Sequence, residues 1–288
     1  MKALIFGAGG QLGRALASTA PPGSHPVALD HCQCDVTDPD AVARAIAAAA
    51  PDLVLNAAAY NAVDRAEAEP EAADRLNAVA PGAIAAAARA AGARTIHVST
   101  DFVFDGAASR PYRPEDSAAP CSVYGRSKLA GERAVGEADP DALIVRTAWL
   151  YAAEGANFVN TMLRLMRERE EIRVVADQIG TPTWAPSLAG ALWALAGKKA
   201  RGLMHYTDAG VASWYDFAVA IAEEARAAGL LEKPVAIRPI ATAAYPTAAR
   251  RPAFSLLEKE ATWDLLGESA PHWRVNLRRN FQELKAHG

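Results

Sequence analysis

Lys2-Ala3-Leu4-Ile5-Phe6-Gly7-Ala8-Gly9-Gly10-Gln11-Leu12-Gly13 opens the chain and decides its fold. Lys2 to Phe6 is a short apolar run that stops at glycine, the pattern of a strand buried on both faces. Arg14 to Thr19 reads as a helix. Strand, glycine turn and helix form the context that a phosphate-binding turn needs. Gly7 permits the tight turn, Gly10 lets backbone approach a pyrophosphate, and Gly13 lets the helix pack on the strand. Gln11 and Leu12 lie at the start of that helix, whose unpaired N–H groups face an anion. Pro26 to Asp30 reads as the second strand. It ends on an acidic residue 23 positions after Gly7, where a carboxylate meets the ribose of a dinucleotide.

The same alternation continues outward. Asp38 caps a helix to Ala50 with Pro39 in its first turn. Leu53-Val54-Leu55 is a strand followed by the small residues Asn56-Ala57-Ala58-Ala59, then Tyr60 and Asn61, which let backbone lie close to a flat ring. Glu71 to Arg89 reads as one long helix, and Thr95 to Val98 and Ala142 to Arg146 as further strands. Strands alternating with helices predict a parallel sheet with ligands beyond its carboxyl edge. The expected architecture is α/β, a Rossmann-type doubly wound parallel sheet with a smaller, partly interleaved substrate-binding lobe. The division expected is 1–150 for the dinucleotide-binding domain and 151–288 mainly for the substrate lobe. In the second half the rhythm weakens. Helices are expected over Asn160 to Glu171, Ser187 to Ala196 and Trp214 to Ala228, with extended pieces at Ile172 to Val175, Leu203 to Tyr206 and Val235 to Ile237.

Composition supports a globular protein. The chain has 288 residues, enough for one large domain or two lobes. Its 68 alanines favour many close-packed helices. A net charge of −3 without a long basic run leaves no nucleic-acid footprint. Three cysteines, Cys32, Cys34 and Cys121, make neither a disulfide framework nor a zinc site, and read as free thiols in a reducing compartment. The run Gln178 to Gly197 is uncharged but broken by Pro182 and Pro186, so it reads as a loop and a buried helix rather than a membrane span. No targeting segment is expected at the N-terminus. The expectation is a cytoplasmic protein with no membrane partner. The six histidines show no metal-ligand spacing, and His205 reads as a core or edge residue.

Tyr124-Gly125-Arg126-Ser127-Lys128 carries the chemistry. On a helix, Tyr124 and Lys128 share one face at i, i+4. A free phenol titrates near 10 and is a poor acid or base at neutral pH. An ammonium one turn away favours the phenolate, so Lys128 is expected to lower the Tyr124 pKa.

These residues also carry a resemblance. The glycine turn, Asn56-Ala57-Ala58-Ala59, Ser99-Thr100-Asp101-Phe102-Val103-Phe104 and Tyr124-x-x-x-Lys128 resemble the extended short-chain dehydrogenase/reductases. The tags Ala62 to Glu67, Val123 to Glu132, Arg146 to Tyr151, Asn157-Phe158, Asp177-Gln178-x-Gly180-x-Pro182-Thr183, Tyr245-Pro246-Thr247 and Arg251-Pro252 narrow this to the dTDP-4-dehydrorhamnose reductase family, over almost the full chain. The resemblance implies reduction of the C4 keto group of dTDP-4-dehydro-L-rhamnose with NADPH or NADH. Tyr124 would give the proton, Lys128 would hold the nicotinamide ribose, and Thr100 would hydrogen-bond the keto oxygen. Asp101 and Trp149 would touch the sugar, and Asn157 and Arg251 the nucleotide or diphosphate. Gly10, Gln11, Leu12, Asp30, Asp35, Val36, Ala59, Tyr60 and Asn61 would line the cofactor.

The family often has Tyr at Phe102 and a small residue at Asn61, departures that touch neither hydride nor proton path. Dehydratases of the superfamily have an Asp–Glu pair where Asp101-Phe102 stands, so reduction is favoured over elimination. Two alternatives stay open: reduction of another 4-keto nucleotide sugar, and a non-catalytic, cofactor-binding regulatory subunit of the same fold. Some relatives form dimers around Mg²⁺ held by glutamates. The aligned positions are Ala15, Pro186 and Glu283, so no metal is expected, and the chain is expected to be a monomer or a dimer without a metal bridge.

Overall fold

A computed structural model of the chain describes residues 1–287. In chain order its elements begin with β1 (Lys2–Phe6), α1 (Gln11–Ser18), β2 (His25–Leu29), α2 (Pro39–Ala49), β3 (Leu53–Asn56), α3 (Val63–Ala66) and α4 (Pro70–Asp74). A π-helical turn, Arg75–Val79, leads into α5 (Ala80–Ala90) and β4 (Arg94–Thr100). A 3₁₀ turn at Asp101–Val103 precedes α6 (Val123–Ala138), β5 (Leu143–Thr147), β6 (Leu150–Tyr151), α7 (Phe158–Glu168), β7 (Glu171–Val175), β8 (Ile179–Gly180) and β9 (Thr183–Trp184). The chain ends with α8 (Ala185–Gly197), β10 (Gly202–His205), β11 (Ala212–Ser213), α9 (Trp214–Ala227), β12 (Ala236–Ile240), α10 (Glu260–Leu266) and α11 (Trp273–His287).

Six of these strands form one parallel sheet in the order β10-β5-β4-β3-β1-β2. From β1 the chain crosses to β2 on one side, then returns to β3 on the other. The strand order therefore reverses between β1 and β3, and ligands bind in the crevice at such a switch point. Gly7 and the Asn56-Ala57 strand end meet there. The sheet is a Rossmann-type core, with Leu4 and Phe6 packing under α2 and α5, and Ile5, Leu53 and Leu55 under α1 and α8.

The smaller lobe is built from α7, α9 and α11 with the short pairs β7–β12, β8–β11 and β6–β9. Its core gathers Phe217, Ile221, Trp273, Leu277 and Phe281, all essentially inaccessible. The interleaving expected from the weakened rhythm is real. β10 rejoins the main sheet beside β5, and α8 packs against α1.

Local chemistry explains most boundaries. Asp38 accepts from Asp40 N and, with Pro39, starts α2. Ser213 and Asp216 form a reciprocal capping box that starts α9. Two expectations need correction. The helix read over Asn160 to Glu171 runs Phe158–Glu168: it starts earlier because Asn157 is its cap and accepts from Asn160 N, and it ends earlier, with Glu171 already opening β7. The single helix read over Glu71 to Arg89 contains the π turn, and that turn belongs to the site.

Candidate active site

A cleft of about 400 Å³ opens at the carboxyl edge of the sheet. The strand ends line it: Ala57 after β3, Val98 to Thr100 of β4, and Thr147, the last residue of β5, with Ala148 and Trp149 after it. Gly10, Gln11 and Leu12 of the glycine turn line it, and so do Phe102, Tyr124 and Lys128. Ala59, Asn61, Asp101, Trp149 and Arg251 also line it. The segments quoted from distant parts of the sequence thus converge in space.

The glycine turn fits a dinucleotide diphosphate. Gly7 has φ +84°, and a Cβ on it would lie 2.6 Å from Ala58 N. A Cβ on Gly13 would lie 2.1 Å from Gly7 O, so only glycine lets α1 start this close to β1. Gly10 caps α1 without a side-chain hydrogen bond, and no acidic residue occupies the first turn. The N–H groups at that helix end are left for an anion.

Asp30 follows β2, beside the turn, with its β-carbon 3.5 Å from where a Cβ on Gly9 would stand. Its Oδ1 accepts from Cys32 N and Gln33 N. Asp35 accepts from the Thr37 amide and hydroxyl, which hold its carboxyl below the usual range. Val36 is buried in the core under α2. Asp30, Asp35 and Val36 lie outside the cleft lining, as do Gly7 and Gly13, which shape the turn from beneath. Ala58 packs toward the core, and its amide donates to Asn56 Oδ1. The Tyr60 phenol turns away and donates to Glu69, leaving its backbone near the cleft.

Asn157 departs from its expected place. Its Nδ2 donates to Gln11 Oε1 and to Ala152 O, so it braces the glycine turn and does not line the cleft. Arg251 does line it, gripped by Asp64 through two hydrogen bonds of 2.7 and 3.1 Å. Arg251 also borders a second cleft of about 530 Å³, walled by the loop Tyr245 to Arg250 with Asp105, Asp177 and Thr242.

Thr100, Tyr124 and Lys128 meet where β4 ends and α6 begins. Ser122 caps α6 by accepting from Gly125 N, and Glu67 accepts from Val123 N. Tyr124 is 8% exposed, with Phe102 edge-on at 5.6 Å. Lys128 is 2% exposed, and its Nζ donates to Val98 O at 2.7 Å. The Thr100 hydroxyl donates to Asp101 Oδ1 at 3.0 Å.

The electrostatics correct one expectation. Burial pushes the Tyr124 phenol up to about 12; a hydrogen bond with Thr100 opposes this and the Asp101 charge adds to it. Lys128 does not bring it below its ordinary value. Burial instead lowers Lys128 itself to about 8, against the attraction of Glu132. Burial also raises Asp101 to about 6, opposed by Ser255 and Thr100. Tyr124 is therefore a neutral, proton-bearing phenol at physiological pH, the form required of an acid.

Several contributing residues escaped the sequence reading. Asn77, in the π turn, is fully buried. It accepts from Tyr60 N, and its Nδ2 donates to Tyr60 O and to Ser127 Oγ, while Ser127 in turn donates to Tyr124 O. It ties the Asn56–Asn61 segment to the catalytic helix, as π turns at functional sites often do. Glu132 and Arg146 form a buried two-point ion pair joining α6 to β5. Trp214 lines the cleft and stacks flat on Trp149, with centroids 3.5 Å apart and planes 6° apart. Trp149 holds a left-handed backbone, φ 46°, a state costing about 1–3 kcal/mol for a non-glycine residue.

Comparison with known proteins identifies the family. Residues 1–286 match the family described as RmlD substrate binding domain. The chain belongs to the dTDP-4-dehydrorhamnose reductase family. The Burkholderia thailandensis dTDP-4-dehydrorhamnose reductase is 46% identical over 285 residues, covering 95% of this chain and 96% of the relative. The Escherichia coli K12 enzyme is 42% identical over 294 residues, covering 99% and 98%. Among solved structures, a dTDP-4-dehydrorhamnose reductase from Clostridium acetobutylicum superposes with TM-score 0.92 at 38% identity, covering 99% of this chain and all of that one. The Bacillus anthracis enzyme in complex with NADP gives 0.91 at 36%, covering 98% and 99%. A Thermus thermophilus UDP-glucose 4-epimerase, 17% identical with TM-score 0.84, shares the fold.

Proposed function

We propose that the chain reduces the C4 keto group of dTDP-4-dehydro-L-rhamnose to give dTDP-L-rhamnose, using a reduced nicotinamide dinucleotide. The observation that carries this is the meeting of Thr100, Tyr124 and Lys128 beside the glycine turn in one cleft. Bound NADPH or NADH supplies the hydride. Gly10, Gln11 and Leu12 would hold the diphosphate of that cofactor, Asp30 its adenosine ribose, and Lys128 its nicotinamide ribose.

The chain's own part is the proton. Carbonyl reduction needs an acid beside the oxygen as negative charge develops on it. Tyr124, held neutral by burial, gives its proton to that oxygen, and the Thr100 hydroxyl, turning its one hydrogen away from Asp101, donates a hydrogen bond to the same atom. Lys128, cationic below about pH 8, favours the tyrosinate left behind. Asp101 and Trp149 border the sugar position. Arg251, shared by both clefts, directs the nucleotide diphosphate toward the second one. Either dinucleotide serves: the Asp30 carboxylate suits the 2′-hydroxyl of NADH, and the structure of the Bacillus anthracis relative was solved with NADP.

The test is purified chain, NADPH or NADH in parallel, and dTDP-4-dehydro-L-rhamnose generated in situ, with loss of reduced-nicotinamide absorbance and identification of the sugar product. Cofactor oxidation with dTDP-L-rhamnose as product is expected. Cofactor binding without turnover would replace the enzyme reading with that of a cofactor-binding subunit. Turnover only on a different 4-keto nucleotide sugar would move the substrate.

A further inference from the structure

A chain of contacts that the reduction scheme leaves unused connects residues lining the two clefts. On the side of the second cleft, Asp177 accepts from the Thr242 amide and hydroxyl. Gln178, 5% exposed, donates through Nε2 to Thr242 Oγ1 at 3.0 Å. Its Oε1 accepts from Trp214 Nε1 at 3.2 Å. Trp214 lies flat on Trp149, and both face the catalytic cleft. Trp214 rests on Phe158 at 4.6 Å and adjoins Phe217 at 6.5 Å, so its body is packed while its one polar atom is pinned. Gly180 completes the frame. A Cβ there would lie 2.7–2.9 Å from three atoms of the Trp149 indole, so the backbone of β8 sets how far that ring can swing.

Trp149 alone would not hold this pose. Its left-handed backbone is a state that persists only where the surroundings over-determine it. The surroundings here are the Trp214 face, the β8 backbone and the Thr183 N–H, which donates to Trp149 O. A planar, amphipathic ring fixed in tilt is the surface against which an apolar pyranose face packs.

We propose that Trp214 and Gln178 are positioning residues for the sugar. By fixing the tilt of Trp149, they set how the keto carbon is presented to the hydride donor and to Tyr124. This rests on the reading of the cleft as a keto-sugar nucleotide reductase site. Misplacement of a reacting centre by about 1 Å can cost on the order of 100-fold in rate, so small rotations of the indole matter.

The experiment compares wild type with Gln178→Leu, Gln178→Glu and Trp214→Phe. Two stacked indoles couple their transitions and give a paired positive and negative circular-dichroism band. That band reports the Trp149–Trp214 geometry directly. Gln178→Leu keeps the volume and removes both hydrogen bonds. It is expected to shrink the paired band and lower kcat by about 10-fold or more, given that sensitivity to misplacement. NADPH affinity, read by fluorescence titration, stays within about 2-fold, because neither residue lies at the glycine turn. Gln178→Glu retains the acceptor for Trp214 Nε1 and is expected to recover most of both signals. Trp214→Phe keeps an aromatic body, abolishes the band and lowers kcat while NADPH still binds. Wild-type turnover on the keto-sugar nucleotide checks the underlying reading separately. A Gln178→Leu protein with the band intact, or with the band lost and kcat unchanged, overturns the proposal, as does equal loss of NADPH binding in Gln178→Leu and Trp214→Phe.

Discussion

Tyr124 and Thr100 stand on the same reacting oxygen in the proposed scheme but contribute differently. Only Tyr124 parts with a proton. Replacing it with phenylalanine keeps the ring against Phe102 and removes the acid, and general acid catalysis is worth about 10²–10⁴-fold. Tyr124→Phe is expected to lose that much kcat with NADPH affinity retained, measured by steady-state kinetics and cofactor titration. Lys128 sets a pH limit. Its pKa is lowered to about 8 by burial, so the cationic form dominates below that value and is lost as pH rises through it. Tyr124, near 12, stays protonated throughout this range. A pH profile of kcat/KM is therefore expected to fall above about pH 8, and Lys128→Met is expected to remove that limb along with most of the activity. In the proposed scheme Asp30 is the residue that reads the cofactor's 2′ position. With Oδ1 committed to Cys32 N and Gln33 N, the second oxygen and the negative charge remain for the ribose. Asp30→Ala is expected to move the NADPH/NADH ratio of kcat/KM upward by about 10-fold, the scale of one hydrogen bond to a charged group. Asp30→Asn keeps the turn contacts and separates loss of charge from loss of the turn.

At the scale of elements, α6 is held to the sheet by a contact that also touches the chemistry. Glu132 and Arg146 are both more than nine-tenths buried, and the guanidinium also lies 5.0 Å over the Phe104 ring. Removing one member of such a pair strands the other charge and costs about 3–5 kcal/mol. Glu132→Gln is expected to lower unfolding stability by that order in urea titrations. It also removes the anion that favours the Lys128 ammonium, so the alkaline limb of activity is expected to move to lower pH. The spacing of elements was readable wherever one local rule dominated. The glycine turn, the Asp38-Pro39 start of α2, and Tyr124 and Lys128 on one helix face are contiguous signals, and each stands where its chemistry placed it. Asn77 was not readable, because an alanine-rich helical stretch conceals a π turn. The extra residue is stabilised by partners 17 and 50 positions away. Trp214 was readable only as the start of a helix, for a similar reason. Its flat contact with Trp149 joins segments about 65 residues apart, and no periodicity reports that. The Tyr124 pKa was misjudged because sequence shows a neighbouring charge but not the depth of burial, and burial is the larger effect here.

For the molecule as a whole, the return of β10 and α8 to the first half makes the two lobes one interlocked body. It also decides what lies at the three positions where some relatives bridge subunits through Mg²⁺. Ala15 is 6% exposed and packs within the α1–α8 core. Pro186 occupies the first turn of α8. Glu283, on α11, lies within electrostatic reach of Tyr151. Mg²⁺ demands near-octahedral oxygen ligation, and neither a methyl group nor a pyrrolidine ring offers an oxygen. Among the described residues no group of three or more histidine, cysteine or acidic side chains could hold a metal ion. One carboxylate per subunit would leave the ion largely hydrated and the bridge weak. No helix of the described residues is long and apolar enough to cross a membrane. Full keto-sugar reductase activity is expected after exhaustive dialysis against EDTA. The mass from light scattering is expected to be the same before and after chelation, whether it corresponds to a monomer or to a dimer built on another surface. Activity lost in EDTA and restored by Mg²⁺, or a dimer that dissociates on chelation, would overturn this prediction.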